Sequence, residues 1–168
     1  MIYGIIGIVL VYILLVFVIS RLVLPFYGFR KAPPSPLPDA IKIKVEELAA
    51  QSSDQLDFAR KLYAFIRSGW GAARTKTIIN LPLAFRKNLT AIWNQPGYAH
   101  CHTINHLYYS MLCASRWFDP GDVRIRYSFF NGVAHQYLQI RINGRWLDVD
   151  PSVTYLPLNF GERVRWFG

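Results

Sequence analysis

A thiol at Cys101, an imidazole at His135 and a carboxyl at Asp150 are the side chains of this sequence whose types and spacing could do chemistry together. Cysteine attacks as its thiolate, and a histidine held by a carboxylate is the base that makes and steadies that thiolate. The chemistry such a set would do is acyl transfer from an amide or ester. Cys101 would attack the carbonyl, His135 move the proton and Asp150 orient His135, and water or an amine would resolve the thioester.

Two of the three residues must be brought together by a hairpin. Asn143-Gly144 separates two alternating runs, 134–142 and 145–149, which is the strongest short-range signal for a two-residue turn. With those residues at the tip, Ile142 lies opposite Arg145, Gln139 opposite Asp148, Tyr137 opposite Asp150 and His135 opposite Ser152. Alternation puts His135, Tyr137, Gln139 and Arg141 on one face with Trp146, Asp148 and Asp150. Diagonal neighbours lie roughly 7–8 Å apart by backbone, so His135 and Asp150 can meet, with Asp148 the weaker partner. Trp146 near Arg141 reads as packing with a cation–π contact.

Cys101 opens a helix over 101–115 after the turn Gln95-Pro-Gly97. Unpaired N–H groups and the helix dipole in a first turn lower a thiol pKa. The same groups can hold an oxyanion, with Gln95, Asn94 or Trp93 as an added donor. Ile104, Tyr108, Met111 and Leu112 share the Cys101 face, while His102, Asn105, His106 and Tyr109 fall on another, where His102 and His106 read as a solvated or interfacial face. Cys113 reads as a small buried hydrophobe. About 18 Å of helix rise separates it from Cys101, too far for a disulfide. His100, Cys101, His102 and His106 are also zinc-ligand types, but Cys101 points away from the histidine face and no second cluster adds a ligand, so no metal is expected.

Further upstream, helical periodicity runs from 39 to 68 with a restart at Ser52, Ser53 and Asp54. Its core stripe is Leu56, Ala59, Leu62, Tyr63 and Ile66, and Gly69 and Gly71 end it. The stretch 74–94, interrupted by Pro82, is expected to be irregular with a short helix over 83–91. Residues 123–130 read as a strand, Asn131-Gly132 as a second hairpin turn, and the tail 154–168 as an added strand or short helix.

The first twenty residues carry no charged side chain, a length that suits a membrane-crossing helix. A cleaved signal would show a basic start and a small-residue cleavage site, so 1–24 is read as a single-pass anchor. Residues 25–38, proline-rich from Ala32 to Pro38, are expected to be a stiff spacer holding the domain at 39–168 off the membrane. Arg21, Arg30 and Lys31 after the apolar run favour the cytoplasmic side. The net charge of +9 suits an anionic lipid surface, and its scattered basic residues with no nucleic-acid motif argue against nucleic acid.

Gly97-Tyr-Ala-His-Cys101, His135-Gln-Tyr-Leu138 and Trp146-Leu-Asp-Val-Asp150-Pro-Ser152 together resemble the transglutaminase-like superfamily of papain-type thiol enzymes, over roughly residues 52–152. The resemblance implies an α+β domain of helices packed on an antiparallel sheet, a Cys101–His135–Asp150 triad, a protein or peptide substrate and no cofactor. Hydrolysis of peptide or isopeptide bonds is the activity expected. Transglutaminase-type transfer to an amine shares its first half-reaction, and a non-catalytic membrane-tethered binding module on the same fold is the alternative from another class. The chain departs from the family at Gln136, where a small residue is common, and in a longer loop over 117–122. Gln95 is spaced from Cys101 much like the oxyanion glutamine of papain-like proteases, and His100 and His102, flanking the sulfur, are alternatives for the base.

Overall fold

The computed structural model describes residues 2–27, 36–72, 74–130 and 133–164. Helix α1 (Ile2–Val18) runs on through a π-helical segment (Ile19–Val23) into a 3₁₀ turn (Leu24–Phe26). Then come α2 (Asp39–Ala50), α3 (Gln55–Gly69), β1 (Trp70–Gly71), α4 (Arg74–Ile79), α5 (Leu81–Ala84), α6 (Leu89–Trp93), β2 (Gly97–Tyr98), α7 (Cys101–Ala114), β3 (Val123–Phe130), β4 (Val133–Ile142) and β5 (Arg145–Val149). The architecture is mixed α+β: helices with an antiparallel sheet in the order β3-β4-β5.

The break between α2 and α3 falls where expected. Asp54 is extended and its carboxylate accepts the Asp57 amide at 2.8 Å, satisfying one of the donors a helix start leaves open. Phe58, Ala59, Leu62, Tyr63 and Ile66 are buried, while Leu56 is only partly so. Helix α7 is the centre of the core. Ile104, Leu107, Tyr108, Met111 and Leu112 are fully buried among Ile41 and Val45 of α2, Phe58 and Leu62 of α3, and Leu138, Ile140 and Val149 of the sheet. The Tyr108 hydroxyl donates to the Ala59 carbonyl at 3.1 Å.

The hairpin register is the expected one along the whole β4–β5 ladder, from Ile142↔Arg145 to Leu138↔Val149. Asn143 and Gly144 carry φ of 49° and 76°, the left-handed pair that a two-residue turn requires. Strand β5 ends at Val149, so Asp150 leaves the sheet in a turn. The β3 strand matches its expected bounds and pairs antiparallel to β4; the turn residues 131 and 132 lie outside the described residues.

Several expectations differ from the structure. The helix over 83–91 is instead α5 and α6, separated at 85–88, because Pro82 begins one helix and the Asn88 side chain caps the next through the Ala91 amide. A short parallel ladder, Trp70↔Gly97 and Gly71↔Tyr98, was not anticipated. Among the described residues the tail reaches the sheet through one bridge, Asp148↔Gly161; residues 165–168 lie outside them. The anchor joins the domain earlier than a spacer from residue 25 would allow: Leu24 and Pro25 are buried, and the Pro25 carbonyl accepts the Gln136 amide at 2.9 Å. Most of the proline-rich stretch, with Arg30 and Lys31, lies outside the described residues.

The apolar helix Ile2–Phe26 is long and apolar enough to cross a membrane. Only 6% of its most apolar 18-residue window is buried, unlike a core helix of the domain.

Candidate active site

The start of α7 is built by the β1–β2 ladder. Gly97, at φ 106°, takes a conformation that costs a side-chain-bearing residue. The Ala99 amide then donates to the Gly71 carbonyl at 3.2 Å, and the Ala72 amide to the Ser152 carbonyl at 2.9 Å. One strap therefore holds both the approach to Cys101 and the turn after Asp150. Gly71 lies so close to the Thr154 side chain that a Cβ would collide with it.

Cys101 is the first helical residue, with His100 as N-cap. Thr103 and Ile104 donate to the His100 carbonyl, both at 3.0 Å, which leaves the amides of Cys101 and His102 without an intrahelical acceptor. His135 and Asp150 meet across the end of the hairpin as the diagonal register implies. The His135 Nε2–H donates to Asp150 Oδ2 at 2.7 Å. Asp150 is fully buried, and its carboxylate also accepts the Ser152 hydroxyl at 2.9 Å and the Val164 amide at 3.5 Å. With Nε2 taken by Asp150, the other side of the imidazole is left for Cys101, which lies close enough for thiol and ring to shift each other's ionisation.

The electrostatics follow from that arrangement. Burial pushes the Cys101 thiol up, but His100, and after it His135, pull it down to about 5. Burial lowers the His135 imidazole, yet Asp150 and then Cys101 raise it to about 10. A thiolate facing an imidazolium is the neutral-pH form of the pair.

His100 is the nearest hydrogen-bonding group to the sulfur, with Nδ1 at 3.4 Å, and the same nitrogen is 2.9 Å from His102 Nδ1. His102 is buried and neutral, held down to about 3 chiefly by burial and then by His100. Its ring also lies beside the Ala84 backbone, and that of His106 beside Lys87, near enough to shift their ionisation. Of the two expectations for the histidine face, solvated or interfacial, the structure has the interfacial one. His102, Asn105 and Tyr109 are buried, and the histidines tie α7 to the segment 84–87. Asn105 is spent on β4, its Nδ2 donating to the Gln136 carbonyl at 2.8 Å. Among the described residues, no group of three or more His, Cys, Asp or Glu side chains is arranged to hold a metal ion.

The other sequence candidates lie elsewhere. Asp148 is engaged by Gln139 Nε2 at 2.5 Å and Arg163 Nε at 3.1 Å. Gln95 is exposed, its side-chain oxygen accepting from Arg86. Asn94 is exposed, and Trp93 packs beside Phe65 and Trp70. The structure places none of these three donors on the sulfur. Trp146 packs under Arg124 at 3.8 Å more closely than under Arg141 at 5.8 Å. Cys113 is half-buried, its thiol pushed up to about 11 by burial.

Three neighbours of the site were not singled out from the sequence. Ser152 completes the carboxylate's hydrogen bonds, a role its place in Asp150-Pro-Ser152 hinted at. Val164 approaches from the tail, which has no local pattern. Tyr98, whose hydroxyl donates to Thr77 Oγ1 at 2.8 Å, lies close enough to Cys101 for the two charges to interact. No protein-family model, curated protein or solved structure matches the chain.

Removing His100 tests its part directly. His100→Ala is expected to move the acid limb of Cys101 alkylation by iodoacetamide upward by about one pH unit or more, the size of shift a close hydrogen-bonding partner of the sulfur produces. An unmoved limb would leave His135 as the sole group stabilising the thiolate.

Proposed function

We propose that this chain is a membrane-anchored thiol acyl enzyme of the transglutaminase-like type, acting as a hydrolase of peptide or isopeptide bonds. Its α1 segment is the anchor. The observation that carries the reading is the buried His135–Asp150 pair, Nε2 to Oδ2 at 2.7 Å, with the Cys101 sulfur near enough to the imidazole for each to shift the other's ionisation. Each of the three groups has its own role. The thiolate attacks the carbonyl carbon, forming a C–S bond while the π electrons move to oxygen. The amides of Cys101 and His102 are the donors best placed to hold that oxyanion. His135 gives its proton to the leaving nitrogen as the C–N bond breaks, and Asp150 keeps the ring aligned and offsets its charge. Water, losing a proton to His135, then attacks the thioester, and the C–S bond breaks to return the thiolate. An amine entering in place of water would give transfer instead of hydrolysis.

The test uses the full chain in detergent with peptide-amide and activated-ester substrates, followed by intact mass and turnover. A thioester adduct confined to Cys101 is expected. Turnover should rise as Cys101 ionises near about pH 5 and fall as His135 deprotonates near about pH 10, because one must be charged to attack and the other to protonate the leaving group. Equal turnover in Cys101→Ala, or an adduct elsewhere, contradicts the proposal.

A further inference from the structure

The length of α1 does not match the part of it that stands clear of the domain. Val16 is buried and α4 packs against α1, while β4 packs against Ile19–Val23 and Gln136 holds Pro25. Residues 2–15 precede the first buried position of the helix, about 21 Å at 1.5 Å per residue. The hydrocarbon core of a bilayer is about 30 Å thick and takes about 20 helical residues to cross. A bilayer crossed by this helix must reach past Val16, to the level of α4 and the β3–β4 hairpin.

The surface at that level is apolar. Outside the anchor, the exposed large hydrophobic side chains among the described residues are Ile43, Ile79, Tyr127, Phe129 and Tyr155. Three of these five lie on the elements flanking the anchor. Ile79, on α4, is 83% exposed and Phe129, on β3, is 59% exposed. Tyr127 stacks on Phe26, ring centroids 4.8 Å apart, so the patch is continuous with the anchor itself. Basic groups border it. Lys76 is exposed on α4, Lys87 sits over the Tyr27 ring at 4.0 Å, and Arg21 lies against Phe17. Aromatic and aliphatic tips ringed by lysine and arginine suit the headgroup region of an anionic bilayer.

We infer that the domain is seated in the membrane interface, with Ile79, Tyr127 and Phe129 immersed among anionic lipid headgroups beside the anchor and not held away on a tether. This rests on α1 crossing a bilayer and not on the thiol chemistry. Gln136 gains a purpose in it: the residue next to His135 is the one that fixes the anchor's end, so His135 is held beside the lipid surface.

Nitroxide depth measurements on the full chain, reconstituted in phosphatidylcholine vesicles containing phosphatidylglycerol, test the inference. Single cysteines are introduced as Val9→Cys, Ile79→Cys, Phe129→Cys and Asn143→Cys in a Cys101→Ser, Cys113→Ser background, with Tyr127→Cys replacing Phe129→Cys if that variant does not reconstitute. Labels at 9, 79 and 129 should be relaxed severalfold more by oxygen than by a water-soluble nickel chelate, and the label at 143 the reverse. If 9 is lipid-exposed but 79 and 129 behave like 143, the anchor stands and the seated domain is overturned. If 9 is also water-exposed, both are overturned.

Discussion

His135→Ala is expected to lower acyl turnover by about a hundredfold to ten-thousandfold, the usual contribution of a positioned acid–base group, while slowing Cys101 alkylation far less. The two readouts separate because alkylation needs only a thiolate, whereas turnover also needs a proton delivered to the leaving group. Loss of the imidazolium lets the thiol rise toward its ordinary range, which at about pH 6 can cut the thiolate fraction by up to about a thousandfold. A more basic thiolate is intrinsically more reactive, and over that range the gain is about 60-fold. Alkylation near pH 6 should therefore slow only about tenfold, and less where His100 still supports the thiolate. Parallel turnover and iodoacetamide kinetics on the same preparation check this. Equal losses in both would mean that His135 only tunes the sulfur.

Asp150→Ala should be the most destabilising change at the site. The carboxylate is fully buried and receives His135, the Ser152 hydroxyl and the Val164 amide. Removing one member of a buried pair leaves the other uncompensated, at about 3–5 kcal/mol. The pH dependence has a defined sign. His135 has a folded pKa raised to about 10, so the stability it confers is complete below its unfolded value of about 6.5 and is lost as pH rises through about 10. Urea unfolding should accordingly show a larger gap between wild type and Asp150→Ala near pH 6 than at alkaline pH. Asp150→Asn keeps an acceptor of the same shape but no charge. It should keep much of the stability, lower the His135 pKa and shift the alkaline limb of turnover downward.

What could be read in advance was whatever a local pattern encodes. Asn143-Gly144 fixes a turn, the turn fixes a register, and the register brings His135 and Asp150 to one face. The Gly97 turn and the periodicity after it placed Cys101 in a first helical turn, and Asp54 marked the restart of a helix. The parallel ladder beneath the site escaped notice because two-residue strands have no period. Polar spacing on α7 left a solvated and an interfacial face equally open, because burial there is decided by the 84–87 segment and β4, and no helix period can report a neighbouring chain segment. The docking of Pro25 on Gln136 is likewise a contact 111 residues apart in sequence, although Gln136 already stood out as a departure from the family pattern.

The ionisation of Cys101 is the point on which the account turns, and thiolate ultraviolet absorbance measures it without any substrate. Cys113, pushed up to about 11, contributes nothing below alkaline pH, so the difference between wild type and Cys101→Ala isolates one sulfur. The thiolate signal should persist from neutral pH down to about 5 and vanish only below it. A signal that appears only as pH rises through about 8.5, as for a free cysteine, would contradict an activated nucleophile at this site.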